Sequence, residues 1–130
     1  MVLPVRTAED IVRMRQAIRE RAVAQGFSLV DQTKIVTAAS ELARNILNYG
    51  GGGSFTLEQV ARDGRTGLKL LFADQGPGIA DIELALKDGY TSGSGLGLGL
   101  GGARRLSNEF TIDSTVGGGT RITIVRWNKG

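Results

Sequence analysis

The apolar residues of this chain change period several times, and each change marks an element. Met1 to Arg6 has the Val and Leu content of a short strand, and Pro4 confines it to a sheet edge because proline offers no N–H to a second neighbour. From Ala8 the period becomes helical: Ile11, Met14 or Arg15, Ile18 and Ala22 recur at 3.6 spacing until Gly26 offers a stop. Ser28, with Asp31 three residues on, reads as an N-cap with an acidic first turn. The second helix runs to about Tyr49 on a seam of Ile35, Ala39, Leu42 and Ile46, and Gly50 to Gly53 ends it.

Phe55 to Arg62 and Leu68 to Ala73 are predicted strands, joined through the turn composition of Asp63 to Gly67. Asp74-Gln75-Gly76-Pro77-Gly78 then breaks the second strand, and Ile79 to Lys87 reads as a short helix. Gly102 to Ser107 starts or continues another helix, and Phe110 to Ser114 and Thr120 to Trp127 form a second hairpin around Val116 to Gly119. Helices among antiparallel hairpins, without repeat or linker, predict a single α+β domain over residues 1–130. Its architecture is a two-layer sandwich, with one mixed, mostly antiparallel sheet covered by helices.

Composition removes whole chemistries. With no His and no Cys in 130 residues, thiol catalysis, Ser-His and Cys-His hydrolysis, zinc fingers and phosphohistidine on this chain are excluded. What remains is carboxylate, amide, hydroxyl, Lys, Arg, backbone and a borrowed ion. The net charge of +3 comes from 12 Arg against 4 Lys, with Arg6, Arg13, Arg15, Arg19 and Arg21 grouped early. Glu9, Asp10 and Glu20 interrupt that group, so a solvated helix face or an acidic protein partner is expected rather than nucleic acid. No signal-peptide pattern and no long apolar run is present, so the expected setting is cytoplasmic, away from the membrane.

The segment Thr91 to Leu106 carries six glycines in sixteen residues and leads into a helix, a composition suited to phosphate because bare N–H groups can turn inward. The chain has no Gly-Lys pair, which excludes a Walker A loop. Gly97-x-Gly99-x-x-Gly102 satisfies the dinucleotide fingerprint, but it follows Gly-Tyr-Thr-Ser-Gly-Ser rather than a strand, and too little chain remains for a Rossmann domain. A protein-kinase glycine loop fails as well, since the only later lysine is Lys129.

Other residues keep this segment company. Glu41, Asn45 and Asn48 form a polar stripe on the second helix, and Asp74-x-Gly76-x-Gly78 and Gly117-Gly118-Gly119-Thr120 sit at strand ends. Singly, each has an ordinary alternative: an exposed helix face for Glu41 and Asn45, a turn cap for Asp74, a strand position for Thr120, a flexible loop for the glycines.

Together, Glu41-Leu-Ala-Arg-Asn45, Asp74-Gln-Gly-Pro-Gly78, Gly93-Ser-Gly-Leu-Gly-Leu-Gly99 and Gly118-Gly-Thr120 resemble the four ordered boxes of the gyrase, Hsp90, histidine-kinase and MutL ATPases, over Ile35 to Trp127. The short Glu-x-x-x-Asn box, the Glu41 to Ile46 run and the Gly95 to Leu106 run are similar to the bacterial serine kinases that regulate sigma factors, specifically the RsbT-type switch kinases of the stressosome.

That resemblance implies a Bergerat-type ATP-binding fold and a set of roles. Asp74 would accept a hydrogen bond from the adenine amino group, with Gly76 and Gly78 bringing backbone close to the base and Thr120 supporting it. Asn45 would hold Mg²⁺ and Glu41 would take the proton of a serine hydroxyl. Gly95, Gly97 and Gly99 would form a phosphate lid, with Leu96, Leu98 and Leu100 as anchors. Arg104 and Arg105 stand open between a charged helix face and a phosphate or partner contact. The implied activity is ATP-dependent phosphorylation of STAS-domain proteins of the RsbS and RsbR kind, followed by activation of an RsbU-like phosphatase. The alternative is a nucleotide-gated anti-sigma factor that acts by sequestering a sigma factor.

Overall fold

The computed structural model describes residues 1–78 and 99–128. Their order is β1 (Val2–Val5), α1 (Ala8–Ala24), α2 (Leu29–Asn45), a π-helical turn (Ile46–Gly50), β2 (Gly53–Arg62), β3 (Arg65–Asp74), α3 (Gly99–Arg105), β4 (Glu109–Thr115) and β5 (Gly119–Trp127). The strands make one sheet in the order β1-β2-β3-β5-β4. Every pair among them is antiparallel, so the parallel component of the expected mixed sheet does not occur among the described strands. β5 turns back from β4 and inserts beside β3, and this reversal is what keeps the ladder antiparallel. β1 lies at the edge, as Pro4 requires.

Side-chain alternation selects the buried face. Phe55, Phe72, Ile122 and Ile112 stand in one cross-strand row, and Leu57, Leu70, Ile124 and Phe110 in another. Met14 and Ile18 of α1 and Ile35, Ala39 and Leu42 of α2 close over these rows, all nearly inaccessible. The rings of Phe55 and Phe72 lie 5.1 Å apart and tilted by 41°. Truncating such a buried ring costs about 3–5 kcal/mol, so these two rows hold the sheet to the helices.

The helix starts follow the sequence. Thr7 Oγ1 accepts from Asp10 N at 3.2 Å while Asp10 Oδ2 accepts from Thr7 N at 3.2 Å and Arg6 N at 2.9 Å, a capping box. The Arg6 N–H, together with Thr7 and Arg13, holds the Asp10 carboxyl below its ordinary value. Ser28 Oγ accepts from Asp31 N at 3.1 Å at the start of α2.

Three boundaries differ from expectation by three residues or more. The β2–β3 turn is only Asp63 and Gly64, both at positive φ (55° and 79°), and Arg62 already pairs with Arg65. An Asp-Gly pair accepts both left-handed positions of a type I′ turn, so Arg65 to Gly67 are free to join β3. The α-helical part of α2 stops at Asn45, four residues before the expected end, and widens into the π-helical turn that Gly51 closes in the left-handed region. α3 begins at Gly99, earlier than Gly102, because Leu100 and Ala103 bury their side chains in the core and carry the preceding glycines into the helix. The helix expected at Ile79 to Lys87 lies outside the described residues.

Topology gives the sandwich two unlike ends. At one end, α2 begins, β5 finishes and α3 terminates. Here Arg126 donates to the Leu106 carbonyl (2.8 Å) and to Asp31 Oδ1 (2.9 Å). Trp127 Nε1 donates to Glu109 Oε2 (2.8 Å), which also accepts from Arg62 (2.9 Å), and Asn128 Nδ2 donates to Gln25 O (2.6 Å). Arg126 holds the Asp31 carboxyl below its ordinary value, and the Trp127 indole, with Arg62, does the same to Glu109. Among the described residues no helix is long and apolar enough to cross a membrane.

Candidate nucleotide site at the open end of the sheet

The opposite end collects the residues that the sequence singled out. The inner-face rows of Phe72 and Leu70 continue into a third row made of Gly53, Asp74, Thr120 and Ser114. Asp74 and Thr120, 46 positions apart in the chain, are thus direct cross-strand neighbours with side chains on the helix-covered face. Asp74 Oδ1 accepts from Gly76 N at 2.9 Å, an Asx turn that aims the carboxylate and leaves its second oxygen for another donor. The turn-cap reading and the binding reading of Asp74 therefore use different oxygens. Thr120 Oγ1 lies 2.9 Å from Ser114 Oγ, which fixes the hydroxyl beside Asp74.

Backbone approaches close the floor of this end. Gly117 N donates to Pro77 O at 2.8 Å, tying the loop after β3 to the β4–β5 turn. A Cβ on Gly78 would meet the Thr115 carbonyl oxygen at 2.3 Å, and one on Gly119 would meet the Asp74 carbonyl oxygen at 2.2 Å. Both glycines have positive φ, so two independent constraints demand glycine there. Backbone without side chains at these two positions is what the close approach of a planar base needs.

α2 reaches the same end from the other side. Its last turn carries Glu41 and Asn45, and the π-helical turn leads straight into Gly53, the ladder partner of Asp74. The polar stripe expected on α2 is unequally exposed: Glu41 is buried (6% accessible), Asn45 is half-buried and Asn48 is exposed. Glu41 Oε1 accepts from Arg44 Nη1 at 2.5 Å. The Asn45 amide bonds to no other described residue, so its oxygen is available to an external ligand. α3 packs on α2 and runs from Gly99 toward the clamped end. Leu100 is buried as an anchor, whereas Arg104 and Arg105 are exposed in its last turn, where their charges favour the helix dipole. Gly95, Gly97, Leu96 and Leu98 lie outside the described residues.

The arrangement fits a magnesium nucleotide. Among the described residues no cluster of three carboxylate or other metal-ligating side chains occurs, which disfavours an all-protein cage. Mg²⁺ commonly takes one or two protein oxygens, with phosphates and waters supplying the rest, and a free half-buried amide meets that need. Ser114 escaped the sequence, and Arg44 lay inside the Glu41–Asn45 box without an assigned role. Ser114 becomes visible only through the β4–β5 register, whereas Arg44 had a signal in its i,i+3 spacing from Glu41.

Known proteins agree with this fold. Residues 30–129 match the family described as histidine kinase-, DNA gyrase B- and HSP90-like ATPases. The chain is 49% identical over 123 residues to the serine/threonine-protein kinase RsbT of Bacillus subtilis, covering 95% of this chain and 92% of that protein. The RsbU and RsbW domains of Rv1364c from Mycobacterium tuberculosis superpose with a TM-score of 0.64 at 22% identity, covering all of this chain and 33% of that longer one. The mycobacterial sensor histidine kinase MprB superposes with a TM-score of 0.58 at 24% identity, over 98% of this chain and 97% of the other. At such identities the two structures bear on the fold alone.

Proposed function

This chain belongs to the histidine kinase-, DNA gyrase B- and HSP90-like ATPases and, within them, to the RsbT-type serine/threonine-protein kinases, and from that membership we propose that it phosphorylates a STAS-domain partner. The partner is of the RsbS or RsbR kind; its phosphorylation frees the kinase to activate an RsbU-like phosphatase in cytoplasmic stress signalling. The observation that carries the site assignment is the cross-strand pairing of Asp74 with Thr120 above a glycine floor, at the end where α2 delivers Glu41 and Asn45.

The free oxygen of Asp74 accepts the adenine amino hydrogen, a donor that guanine lacks at that position. Gly76 and Gly78 keep the base near backbone, and Thr120, held by Ser114, supports it directly or through water. Asn45 supplies an amide oxygen to Mg²⁺, which when bound neutralises charge on the phosphates. Gly99, with Gly95 and Gly97 by resemblance, lines the phosphates. Glu41 takes the proton of the incoming hydroxyl as its oxygen bonds to the γ-phosphorus and the bond to the bridging oxygen breaks, releasing ADP. The added phosphate carries charge into the partner's interface and separates the two proteins.

The test is incubation of wild type, Glu41→Ala and Asp74→Asn with labelled ATP and a STAS-domain protein. Label is expected on a partner serine or threonine with wild type and to drop sharply with each variant. Equal labelling by all three proteins overturns the assignment, and nucleotide-dependent capture of a sigma factor without labelling favours sequestration.

A further inference from the structure

Glu41 is a poor base unless its carboxylate is held, because a glutamate side chain has three rotatable bonds. The structure shows what holds it. Arg44 Nη1 lies 2.5 Å from Glu41 Oε1, one helical turn on, and no described residue bonds Oε2. The exposures of the pair are unequal: the Glu41 side chain is 7% accessible and that of Arg44 38%. An ordinary surface pair exposes both partners and contributes little. Here a buried carboxylate relies on a cation reaching it from the solvent side, and removing that cation leaves a charge without compensation.

We propose that Arg44 is a positioning residue for phosphoryl transfer: by engaging Oε1 it fixes the carboxylate so that Oε2 is presented to the incoming hydroxyl. The proposal rests on Glu41 being the base. Arg44 itself touches neither nucleotide nor phosphate in this scheme, which separates it from an arginine that stabilises the transferring group. A guanidinium is suited to the task because it stays charged and its planar donors restrain the carboxylate in direction as well as distance.

A role exerted through Glu41 has a signature that general destabilisation lacks. Transfer to the STAS-domain protein that wild type phosphorylates is measured for Arg44→Met, Arg44→Lys, Glu41→Gln and the double variant Glu41→Gln/Arg44→Met, with binding of Mg²⁺–ATP measured on each. Arg44→Met is expected to lower kcat about 10-fold, as loss of a charge-assisted bond predicts, with ATP affinity within about 2-fold of wild type. Arg44→Lys restores most of the loss, because an ammonium keeps the charge while giving up the planar fork. In the Glu41→Gln background, Arg44→Met changes kcat by less than about 2-fold, since there is no carboxylate left to position.

A wild-type rate for Arg44→Met, or an equal fractional loss in both backgrounds, overturns the proposal even if Glu41→Gln is slow. A wild-type rate for Glu41→Gln with ATP binding intact overturns the base assignment and Arg44 with it. Parallel loss of ATP affinity in Arg44→Met and Arg44→Lys assigns the residue to nucleotide binding instead and also overturns the proposal.

Discussion

The two ends of the sandwich use the same kinds of residue in opposite ways. At the clamped end Asp31, Arg126, Glu109, Trp127 and Asn128 are joined to one another or to backbone carbonyls, and the carboxyls of Asp31 and Glu109 are held below their ordinary values by those partners. At the open end Asp74 and Glu41 each have one oxygen engaged, and Asn45 bonds to no described residue. Polar groups left short of partners cost free energy in a folded protein. The clamped end also leaves Gln25 Nε2 and Oε1 and Arg126 Nε buried without a partner among the described residues. What sets the open end apart is that its unengaged oxygens gather beside two sterically required glycines, while the clamped end fixes the starts and finishes of α2, α3 and β5.

Substitutions sharpen that contrast in descending order of effect. Glu41→Gln, nearly isosteric, is expected to slow phosphotransfer by about 100-fold or more, the usual worth of a positioned base, while unfolding by denaturant shifts little. Gly119→Ala forces a Cβ toward the Asp74 carbonyl at positive φ, and a loss of about 3 kcal/mol in chemical denaturation is expected, together with weaker ATP binding because Asp74 must move. Arg126→Met at the clamped end is expected to cost about 2 kcal/mol of stability by stranding Asp31 and the Leu106 carbonyl, with ATP affinity per folded molecule unchanged. If Arg126→Met altered affinity as much as Gly119→Ala, the division between the ends would be lost.

The smallest effect is in acid. Because the Asp31 carboxyl is depressed in the folded state by Arg126, its contribution is complete above the ordinary value of 3.8 and disappears as pH falls through the lower folded value. Denaturation midpoints measured from pH 5 downward are therefore expected to fall less steeply for Asp31→Asn than for wild type, from a lower starting stability. Parallel acid limbs would remove Asp31 from the clamp.

Both ends were partly legible in the sequence, for different reasons. Helix seams such as Ile35, Ala39 and Leu42, the Thr120 to Trp127 strand and the edge position forced by Pro4 follow from local period and covalent geometry. The π-helical turn after Asn45 was not, because no side-chain pattern separates it from continued α-helix. The Asp63–Gly64 turn was overestimated in length because Thr66 and Gly67 look like turn residues although both pair within β3. For the candidate site, the order of the motifs singled out Asp74, Thr120, Asn45 and Glu41, which the fold gathers at one end, but the burial of Glu41 and its contact with Arg44 arise from packing that composition does not encode. The Arg126–Asp31 bridge, joining residues 95 positions apart, is tertiary in the same sense.

Calorimetric titration of wild type and Asp74→Asn with ATP and with GTP, in Mg²⁺, tests most directly whether the open end is an adenine site. The account predicts that wild type prefers ATP, that Asp74→Asn binds ATP about 10- to 100-fold more weakly, as loss of a charge-assisted hydrogen bond requires, and that weak GTP binding changes little. Equal ATP affinity in a folded Asp74→Asn variant would contradict it.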